Sequence, residues 1–277
     1  MQLARLARCL MLIAMGLAGC APSLSFTSRT DEGRPVQVSG VLTLPEGQGP
    51  HPAVVLMHGS SGVGPTLATN WPQAFRKAGI ATLAIDSFTG RGLTSTVTAL
   101  SMDKFHLPTE LVWDAHAAAN WLRARPGIDS KRLVLMGQSL GGIVALNAQQ
   151  RIAGIRFDDF AAFVAVYPLC GGTPMNVTYE RPTLILIGAE DDWTPADQCV
   201  LLAAYKKEMR DPTPELIVYP GAVHSFDIPS RGSGIMNVHI AGRNVAVKSY
   251  FSASTTAAAE AVALAFISRH LALAPRR

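Results

Sequence analysis

Short apolar runs alternate along this chain with segments of helical length, and this alternation constrains the fold more than any other feature. The runs span residues 53–57, 80–85, 132–137, 163–167, 183–187 and 216–219. Apolar side chains at almost every position, rather than at every second one, are typical of parallel strands that are buried on both faces. Strands that alternate with helices predict the α/β class, with a mostly parallel central sheet and helices on both of its faces.

The helix-forming segments lie between these runs. They are predicted near residues 71–78, at 109–125, at 140–151, from 194 and at 255–273. At the fourth of them Thr194 is predicted to cap the helix, because Pro195 suits the first helical position and Asp197 completes a capping pattern. Before the first apolar run, residues 36–44 alternate between apolar and polar side chains, which predicts an edge strand or a hairpin.

The first 19 residues have the composition of an export signal. Their two charges are both arginine, and a short apolar segment follows at residues 9–18. Residues 17–20 read Leu-Ala-Gly-Cys, which resembles a bacterial lipobox, the motif whose cysteine receives a diacylglyceryl group. The prediction is therefore a signal peptide at 1–19 and a lipid on Cys20. The alternative is an uncleaved membrane anchor, and Pro22 with the serines and threonines around it argues against such a span.

Lipidation would place the protein outside the cytoplasm. Residues 20–34 are predicted to tether it to the membrane, and residues 35–277 to form one domain, because no linker-like segment divides them. Ala21, directly after the cysteine, favours the outer membrane and its periplasmic side if the cell is Gram-negative. In an oxidising compartment Cys170 and Cys199, the two cysteines within the domain, favour a disulfide over two buried free thiols.

The sharpest motif is Gly-Gln-Ser-Leu-Gly at residues 137–141, which fits the pattern G-x-S-x-G. It lies where its chemistry requires it, directly after a predicted strand and before a predicted helix. At such a turn the serine hydroxyl is pushed clear of the backbone, and the helix N-terminus supplies N–H groups for an oxyanion. Ser139 is therefore the candidate nucleophile, and the alternative is an incidental serine in a glycine-rich turn.

A serine hydroxyl needs a base, and the base needs an orienting carboxylate; in this kind of fold the acid and then the histidine follow the nucleophile. His224 is the candidate base, because it lies in the loop after the last predicted strand. The acid is one of Glu190, Asp191 and Asp192, which follow the fifth strand. The frequent hydrolase pattern G-x-x-D-x-x-x-P at residues 188–195 selects Asp191, with Asp192 as the second candidate.

Two backbone N–H groups are predicted to form an oxyanion hole. One belongs to Leu140 and the other to Ser60, in the segment His-Gly-Ser-Ser-Gly at residues 58–62. His58 is expected to brace this loop by hydrogen bonding rather than to act as a base. The chain has no His-x-x-x-His or Cys-x-x-Cys spacing and no Walker motif, so no metal or other cofactor is predicted.

These residues resemble the dienelactone hydrolase family of α/β-hydrolases over nearly the whole domain. The marks are residues 58–59, 86–88, 91–92, 137–142, 167–168, 191–195 and 219–226. The resemblance implies the α/β-hydrolase fold and hydrolysis of esters or lactones. The enzymes that give the family its name use a cysteine nucleophile in cytosolic catabolism, whereas Ser139 takes that place here in a chain with an export signal. Arg91 lies near the position at which family members hold a substrate carboxylate, and its role is left open between that and a helix-capping or salt-bridging one.

The function predicted from the sequence is that of an exported serine carboxylesterase that acts on a small-molecule ester or lactone through an acyl-enzyme. The membrane is its second partner, through the N-terminal lipid. A nucleic-acid partner has little support, because the net charge is only +4 and no basic cluster is present. Two alternatives remain: a peptidase of the prolyl-oligopeptidase type, and a non-catalytic lipoprotein that binds a ligand on the same scaffold.

Overall fold

A computed structural model of the protein describes residues 24–64, 67, 70–97, 107–149, 159–173, 177–240 and 243–273. The predicted signal peptide at 1–19, Cys20, and residues 150–151 of the third predicted helix lie outside the described residues. In this part of the chain eight strands form the main sheet: β1 (Leu24–Arg29), β2 (Pro35–Thr43), β3 (His51–Met57), β4 (Ala81–Asp86), β5 (Ile128–Gln138), β6 (Ala162–Val166), β7 (Thr183–Gly188) and β8 (Glu215–Tyr219).

The described residues also form five α-helices, a separate two-stranded sheet and three short 3-10 helices at residues 89–91, 170–172 and 229–231. The helices are α1 (Trp71–Lys77), α2 (Leu107–Arg123), α3 (Leu140–Asn147), α4 (Ala196–Glu208) and α5 (Ala253–His270). The small sheet is an antiparallel hairpin of β9 (Ser233–Ile240) and β10 (Arg243–Tyr250). None of the helices within the described residues combines the length and the apolar character needed to cross a membrane.

The strand order in the main sheet is β1-β2-β4-β3-β5-β6-β7-β8. All pairs from β4 to β8 are parallel, whereas β1 and β2 are antiparallel to their neighbours. The central strands are buried along almost their whole length, as the continuous apolar runs require. The α/β prediction is therefore confirmed.

The sheet begins earlier than the sequence indicated. Residues 20–34 were expected to tether the domain, but β1 pairs along its whole length with β2 and forms the edge of the sheet. That prediction is wrong from Leu24 onward. The strand escapes notice because Ser28 occupies an inward position beside Phe26, so the buried face lacks a continuous apolar pattern. Because β1 lies beside it, β2 has a neighbour on each side and is not an edge strand; it is the second strand of an antiparallel hairpin with β1, which was the other alternative.

Cys170 and Cys199 are joined by a disulfide. Cys170 follows β6 and Cys199 lies in α4, so the bridge ties the loop after one strand to the helix that follows the next. Both residues are buried. The disulfide thus links the segment that follows β6 covalently to α4, the helix that follows β7.

Candidate active site

Ser139 lies at the turn between β5 and α3, as the G-x-S-x-G pattern predicts. Its backbone has φ 52° and ψ −112°, a conformation that a residue with a side chain adopts only when the surrounding structure enforces it. The carbonyl of Val166 accepts a hydrogen bond from the Ser139 N–H at 2.8 Å, and the Ser139 carbonyl accepts one from Ile143 in α3 at 3.0 Å. The strained turn is therefore held by the neighbouring strand and by the helix.

Two glycines allow this turn to exist. A Cβ atom on Gly137 would lie 2.1 Å from the carbonyl oxygen of Gly141, and one on Gly141 would lie 2.4 Å from the carbonyl oxygen of Met57. Both distances are far below van der Waals contact. The first and last positions of G-x-S-x-G are thus required because β3, β5 and the start of α3 approach one another at backbone distance.

His224 lies against Ser139. It follows β8, and its Nε2 is 3.0 Å from the Ser139 hydroxyl oxygen. The ring is buried, with 1 % of the residue exposed. Two aromatic rings enclose it, with centroids 4.6 Å away for Trp193 and 4.7 Å for Tyr167. The imidazole is therefore held in one place, with Nε2 positioned to accept the serine proton.

Asp191 is the carboxylate that reaches this histidine. Its Oδ2 accepts a hydrogen bond from His224 Nδ1 at 2.8 Å, and its Oδ1 accepts the backbone N–H groups of Trp193 and Thr194 at 3.0 and 2.8 Å. The carboxylate is fully buried. With Nδ1 donating to Asp191, Nε2 is left as an acceptor, which is the tautomer that general-base catalysis requires.

The other two candidate acids lie away from the histidine. Asp192 accepts the backbone N–H of Lys248 in β10, at 2.9 and 3.2 Å to its two oxygens. Glu190 is exposed and lies 3.6 Å from the Lys248 ammonium. Of the three adjacent carboxylates, the structure therefore brings only Asp191 to Ser139 and His224, and Asp192 fastens the loop to the β9–β10 hairpin.

Thr194 has a different role from the one predicted. α4 begins at Ala196, Pro195 occupies the N-cap position, and no side chain caps the helix. The Thr194 hydroxyl instead lies 2.8 Å from Asp191 Oδ2 and 3.0 Å from His224 Nδ1. Thr194 followed by Pro195 is typical of a helix start, and this local pattern favoured a capping role. The contact with His224 is not visible in the sequence, because His224 comes from another loop.

The loop at residues 58–62 lies against the nucleophile. A Cβ atom on Gly59 would be 3.3 Å from the Ser139 Cβ, and Ser60 and Ser139 line the same cleft. Leu140 is the first residue of α3, where helix N–H groups have no acceptor within the helix. Of the two predicted oxyanion donors, Leu140 thus directly follows Ser139 at the start of α3, and Ser60 lines the cleft together with Ser139.

His58 braces this loop from beneath. Its Nδ1 donates to the Gly59 carbonyl at 2.8 Å and its Nε2 accepts the Ser87 backbone N–H at 3.2 Å. Burial lowers the pKa of the His58 imidazole below its ordinary value, which favours the neutral ring that this pattern of one donor and one acceptor needs. The ring therefore fixes the loop, as expected.

Arg91 is engaged in ion pairs. Its guanidinium donates to both oxygens of Asp114 at 2.8 and 3.1 Å, to Glu110 at 3.2 Å and to the Ser87 carbonyl at 2.8 Å. Arg91 and Asp114 are nearly fully buried side chains. These contacts give Arg91 a salt-bridging role, because they join the segment after β4 to Glu110 and Asp114 of α2.

The cleft above Ser139 has a volume of about 210 Å³. Besides Ser139, His224 and the 58–62 loop, it is lined by Leu67, Gln138, Tyr167, Trp193, Ser225, Ile228, Ser230 and Arg231. Arg231 donates to the Ser61 hydroxyl at 2.9 Å and so joins the loop that precedes β9 to the predicted oxyanion loop.

A larger groove of about 790 Å³ lies between α1 and α5 and does not contact Ser139 or His224. Within the described residues no group of His, Cys, Asp and Glu is arranged to hold a metal ion.

Comparison with known proteins places the chain in a family. The sequence model of the dienelactone hydrolase family matches residues 38–268. An uncharacterised 31.7 kDa protein of Escherichia coli is 32% identical over 99 residues, which are 36% of this chain and 32% of that protein. The matched segment thus spans about a third of the length of this relative, whose own function is not established.

Solved structures share the fold. The crystal structure of a putative dienelactone hydrolase from Klebsiella pneumoniae superposes with a TM-score of 0.65 at 17% identity, and the match covers 90% of this chain and 99% of that one. Esterase 2 of Thermogutta terrifontis, phosphoramylated by tabun, has a TM-score of 0.64 at 18% identity, covering 93% and 98%. A puromycin-hydrolysing peptidase of Mycobacterium tuberculosis has a TM-score of 0.65 at 20% identity, and the match covers 93% of this chain but 40% of the peptidase. The family match over residues 38–268 and the eight-stranded sheet together show that this chain belongs to the dienelactone hydrolase family of α/β-hydrolases.

Proposed function

We propose that this protein hydrolyses small carboxylic esters, lactones among them, with Ser139 as nucleophile, His224 as base and Asp191 as the orienting acid. The observation that carries the proposal is the continuous chain of two hydrogen bonds, 3.0 Å from Ser139 to His224 and 2.8 Å from His224 to Asp191, at the floor of a cleft. Such a chain activates a hydroxyl that is otherwise a weak nucleophile.

The geometry supports acyl transfer in two halves. As the Ser139 oxygen attacks the ester carbonyl carbon, its proton moves to His224 Nε2, and the Asp191 carboxylate stabilises the imidazolium that forms. His224 then gives that proton to the departing alkoxide, which leaves as the alcohol. In the second half His224 removes a proton from water, the resulting hydroxide attacks the acyl-enzyme, and Ser139 recovers its proton.

The negative oxygen of each tetrahedral intermediate is proposed to be bound by the backbone N–H groups of Leu140 and Ser60. The N-terminus of α3 adds its positive dipole end at the same place. Preorganised donors of this kind lower the barrier because they need no rearrangement when the charge develops. A cleft of about 210 Å³ is smaller than the pockets that hold drug-sized ligands, which favours short acyl groups such as acetate.

An organophosphonate probe tests the proposal directly. A fluorophosphonate is expected to label the wild-type protein once per chain, at Ser139, and p-nitrophenyl acetate hydrolysis is expected to disappear in step with labelling. The Thermogutta esterase that shares this fold is phosphoramylated by tabun, which supports the choice of probe. Intact-protein and peptide mass spectrometry give the stoichiometry and the position.

A remote serine provides the matched control. Ser268 lies on α5, in the groove that does not contact the triad, and Ser268→Ala is expected to be labelled like the wild type. A folded protein that takes no label and hydrolyses no ester would contradict the proposal and favour the non-catalytic alternative. Faster turnover of peptide p-nitroanilides than of esters would favour the peptidase alternative. This substrate is included because the mycobacterial peptidase shares the fold.

We further propose that the protein is exported and held at a bacterial membrane by a lipid on Cys20. The apolar segment that ends in Leu-Ala-Gly-Cys supports this, and so does the disulfide between Cys170 and Cys199, because disulfides persist in oxidising compartments.

Metabolic labelling tests the anchor. Cells grown with an alkyne-bearing fatty acid are expected to incorporate it into the wild-type protein, which should sediment with membranes. Cys20→Ala is expected to lose the label, because the acceptor sulfur is gone, while Cys9→Ala, within the predicted signal peptide, keeps it. Equal labelling of the wild type and Cys20→Ala would show that the lipid is elsewhere or absent.

A further inference from the structure

A second buried carboxylate lies behind the triad. Asp227 follows His224 by three residues and is 0 % exposed. Its Oδ2 accepts hydrogen bonds from Trp71 Nε1 at 2.9 Å and from Gln138 Nε2 at 2.6 Å, and its Oδ1 accepts one from the Tyr167 hydroxyl at 2.7 Å. Burial of a carboxylate so deep in the protein is costly unless it is hydrogen-bonded. Loss of any of the three hydrogen bonds therefore costs free energy, which keeps the three donors in place around the carboxylate.

The donors point their protons at Asp227 in a consistent pattern. The indole and amide nitrogens can only donate. The Tyr167 hydroxyl accepts from Gln138 Nε2 at 2.8 Å, which leaves its own proton for Asp227. Burial first, and then the negative charge of Asp227, raise the pKa of Tyr167 well above its ordinary value, so the phenol keeps that proton.

Two of these donors support the reacting groups. Gln138 immediately precedes Ser139, so holding its side chain holds the entry to the strained turn. The Tyr167 ring lies against the His224 ring, with centroids 4.7 Å apart. Tyr167 itself has φ 40°, an uncommon value for a residue with a side chain, and its carbonyl lies 3.2 Å from the Thr194 hydroxyl.

We propose that Asp227 is a positioning residue for ester hydrolysis: through Gln138 and Tyr167 it holds Ser139 and His224 in the relative position that proton transfer needs. This rests on the proposed function, since it presupposes that Ser139 and His224 perform the chemistry. The effect falls on the chemical step rather than on substrate binding, because displacement of catalytic groups by about 1 Å can cost about 100-fold in rate.

Tyr167→Phe is the sharpest variant, because it keeps the ring beside His224 and removes only the hydroxyl that bonds Asp227. We expect kcat for p-nitrophenyl acetate to fall by about 10- to 100-fold while KM changes little. Asp227→Asn is expected to show the same split. Two N–H donors face Oδ2 of Asp227, so the asparagine oxygen is expected to stay on that side and its NH₂ to face Tyr167, whose proton then has no acceptor. Since Asp227→Asn thereby removes the bond that Tyr167→Phe removes, the double variant should be no slower than the slower single one.

Tyr179→Phe is the matched control. Tyr179 is equally buried, and its hydroxyl is among the buried side-chain atoms that have no hydrogen-bond partner in the described structure. Its loss is expected to leave kcat unchanged. All rates are divided by the active fraction, counted from the final extent of fluorophosphonate labelling, so a loss of folded protein does not imitate a loss of kcat.

The outcomes separate two failures. If the wild type neither takes the label nor hydrolyses esters, the proposed function has failed. If the wild type is active while Tyr167→Phe and Asp227→Asn keep its kcat and differ only in thermal midpoint, Asp227 is a structural residue and the positioning role is overturned. Multiplicative losses in the double variant would also overturn it. Should Asp227→Asn fail to fold, Tyr167→Phe alone decides, since its unchanged kcat would refute the role.

Discussion

Ser139→Ala is expected to lower kcat for p-nitrophenyl acetate by about 10⁴- to 10⁶-fold. The methyl group cannot attack a carbonyl. A water molecule would have to replace the serine oxygen, which the chain fixes at 3.0 Å from His224 Nε2, and no covalent bond fixes water at that place. What remains is stabilisation of the oxyanion by backbone N–H groups and binding of the ester, which together still exceed the uncatalysed rate. Steady-state kinetics with purified protein give the ratio.

His224→Ala serves as the partner variant to this experiment. Since nucleophile and base act as a unit, the double variant should be about as slow as either single one. Circular dichroism spectra that overlay the wild type would show that the fold is kept. Activity within an order of magnitude of the wild type in well-folded Ser139→Ala would mean that another group performs the reaction.

Asp191→Asn is expected to lower kcat by about 10⁴-fold with little effect on KM. The two backbone N–H groups of Trp193 and Thr194 hold the Oδ1 side of Asp191. The asparagine oxygen is therefore expected to stay on that side, and the amide NH₂ to face His224 Nδ1. The ring then responds by carrying its proton on Nε2, and this nitrogen can no longer accept the proton of Ser139.

Asp192→Asn is the matched control, since it is the adjacent residue and undergoes the same chemical change. Its carboxylate contacts the Lys248 backbone N–H in the hairpin, not the histidine, so kcat is expected to stay close to that of the wild type. The free energy of unfolding should change by no more than about 0.5 kcal/mol, as for most surface substitutions. A large loss in Asp192→Asn with a small one in Asp191→Asn would reverse the assignment of the acid. Stopped-time assays at one pH, with both variants at equal folded concentration, make the comparison.

Much of the fold follows from patterns that repeat locally. Strands β3 to β7 are readable because a strand buried on both faces needs apolar side chains throughout, and that need does not depend on which strand lies beside it. β8 ends the sheet and has no fully buried residue, so its apolar run indicated a strand but not burial on both faces. The hairpin β9–β10 is not readable in this way. Most of its described side chains are exposed, so no continuous apolar run marks it. The strand β1 was missed for a related reason, because a serine occupies part of its buried face.

The site shows the same division. Ser139 and the glycines around it could be predicted because they form a pattern of five consecutive residues, even though contacts with other strands hold the turn. His224 could be predicted from its place after a strand. Thr194 and Asp227 were missed, because each owes its role to side chains that the fold brings from other loops: His224 and Asp191 for the first, Gln138 and Tyr167 for the second.

The sequence by itself therefore determined the class of fold and singled out the candidate nucleophile and base, since backbone sterics and burial act on neighbouring residues. Only the tertiary structure decided which of two adjacent aspartates serves the histidine. Both aspartates follow the same strand. A sequence pattern selects one of them because of its spacing along the chain, not because of its distance from the histidine. The turn that places Trp193 and Thr194 N–H groups around Asp191, and the hairpin strand that meets Asp192, orient the two carboxylates in different directions. Hydrogen-bond direction over a few ångströms, which no linear pattern records, makes that choice.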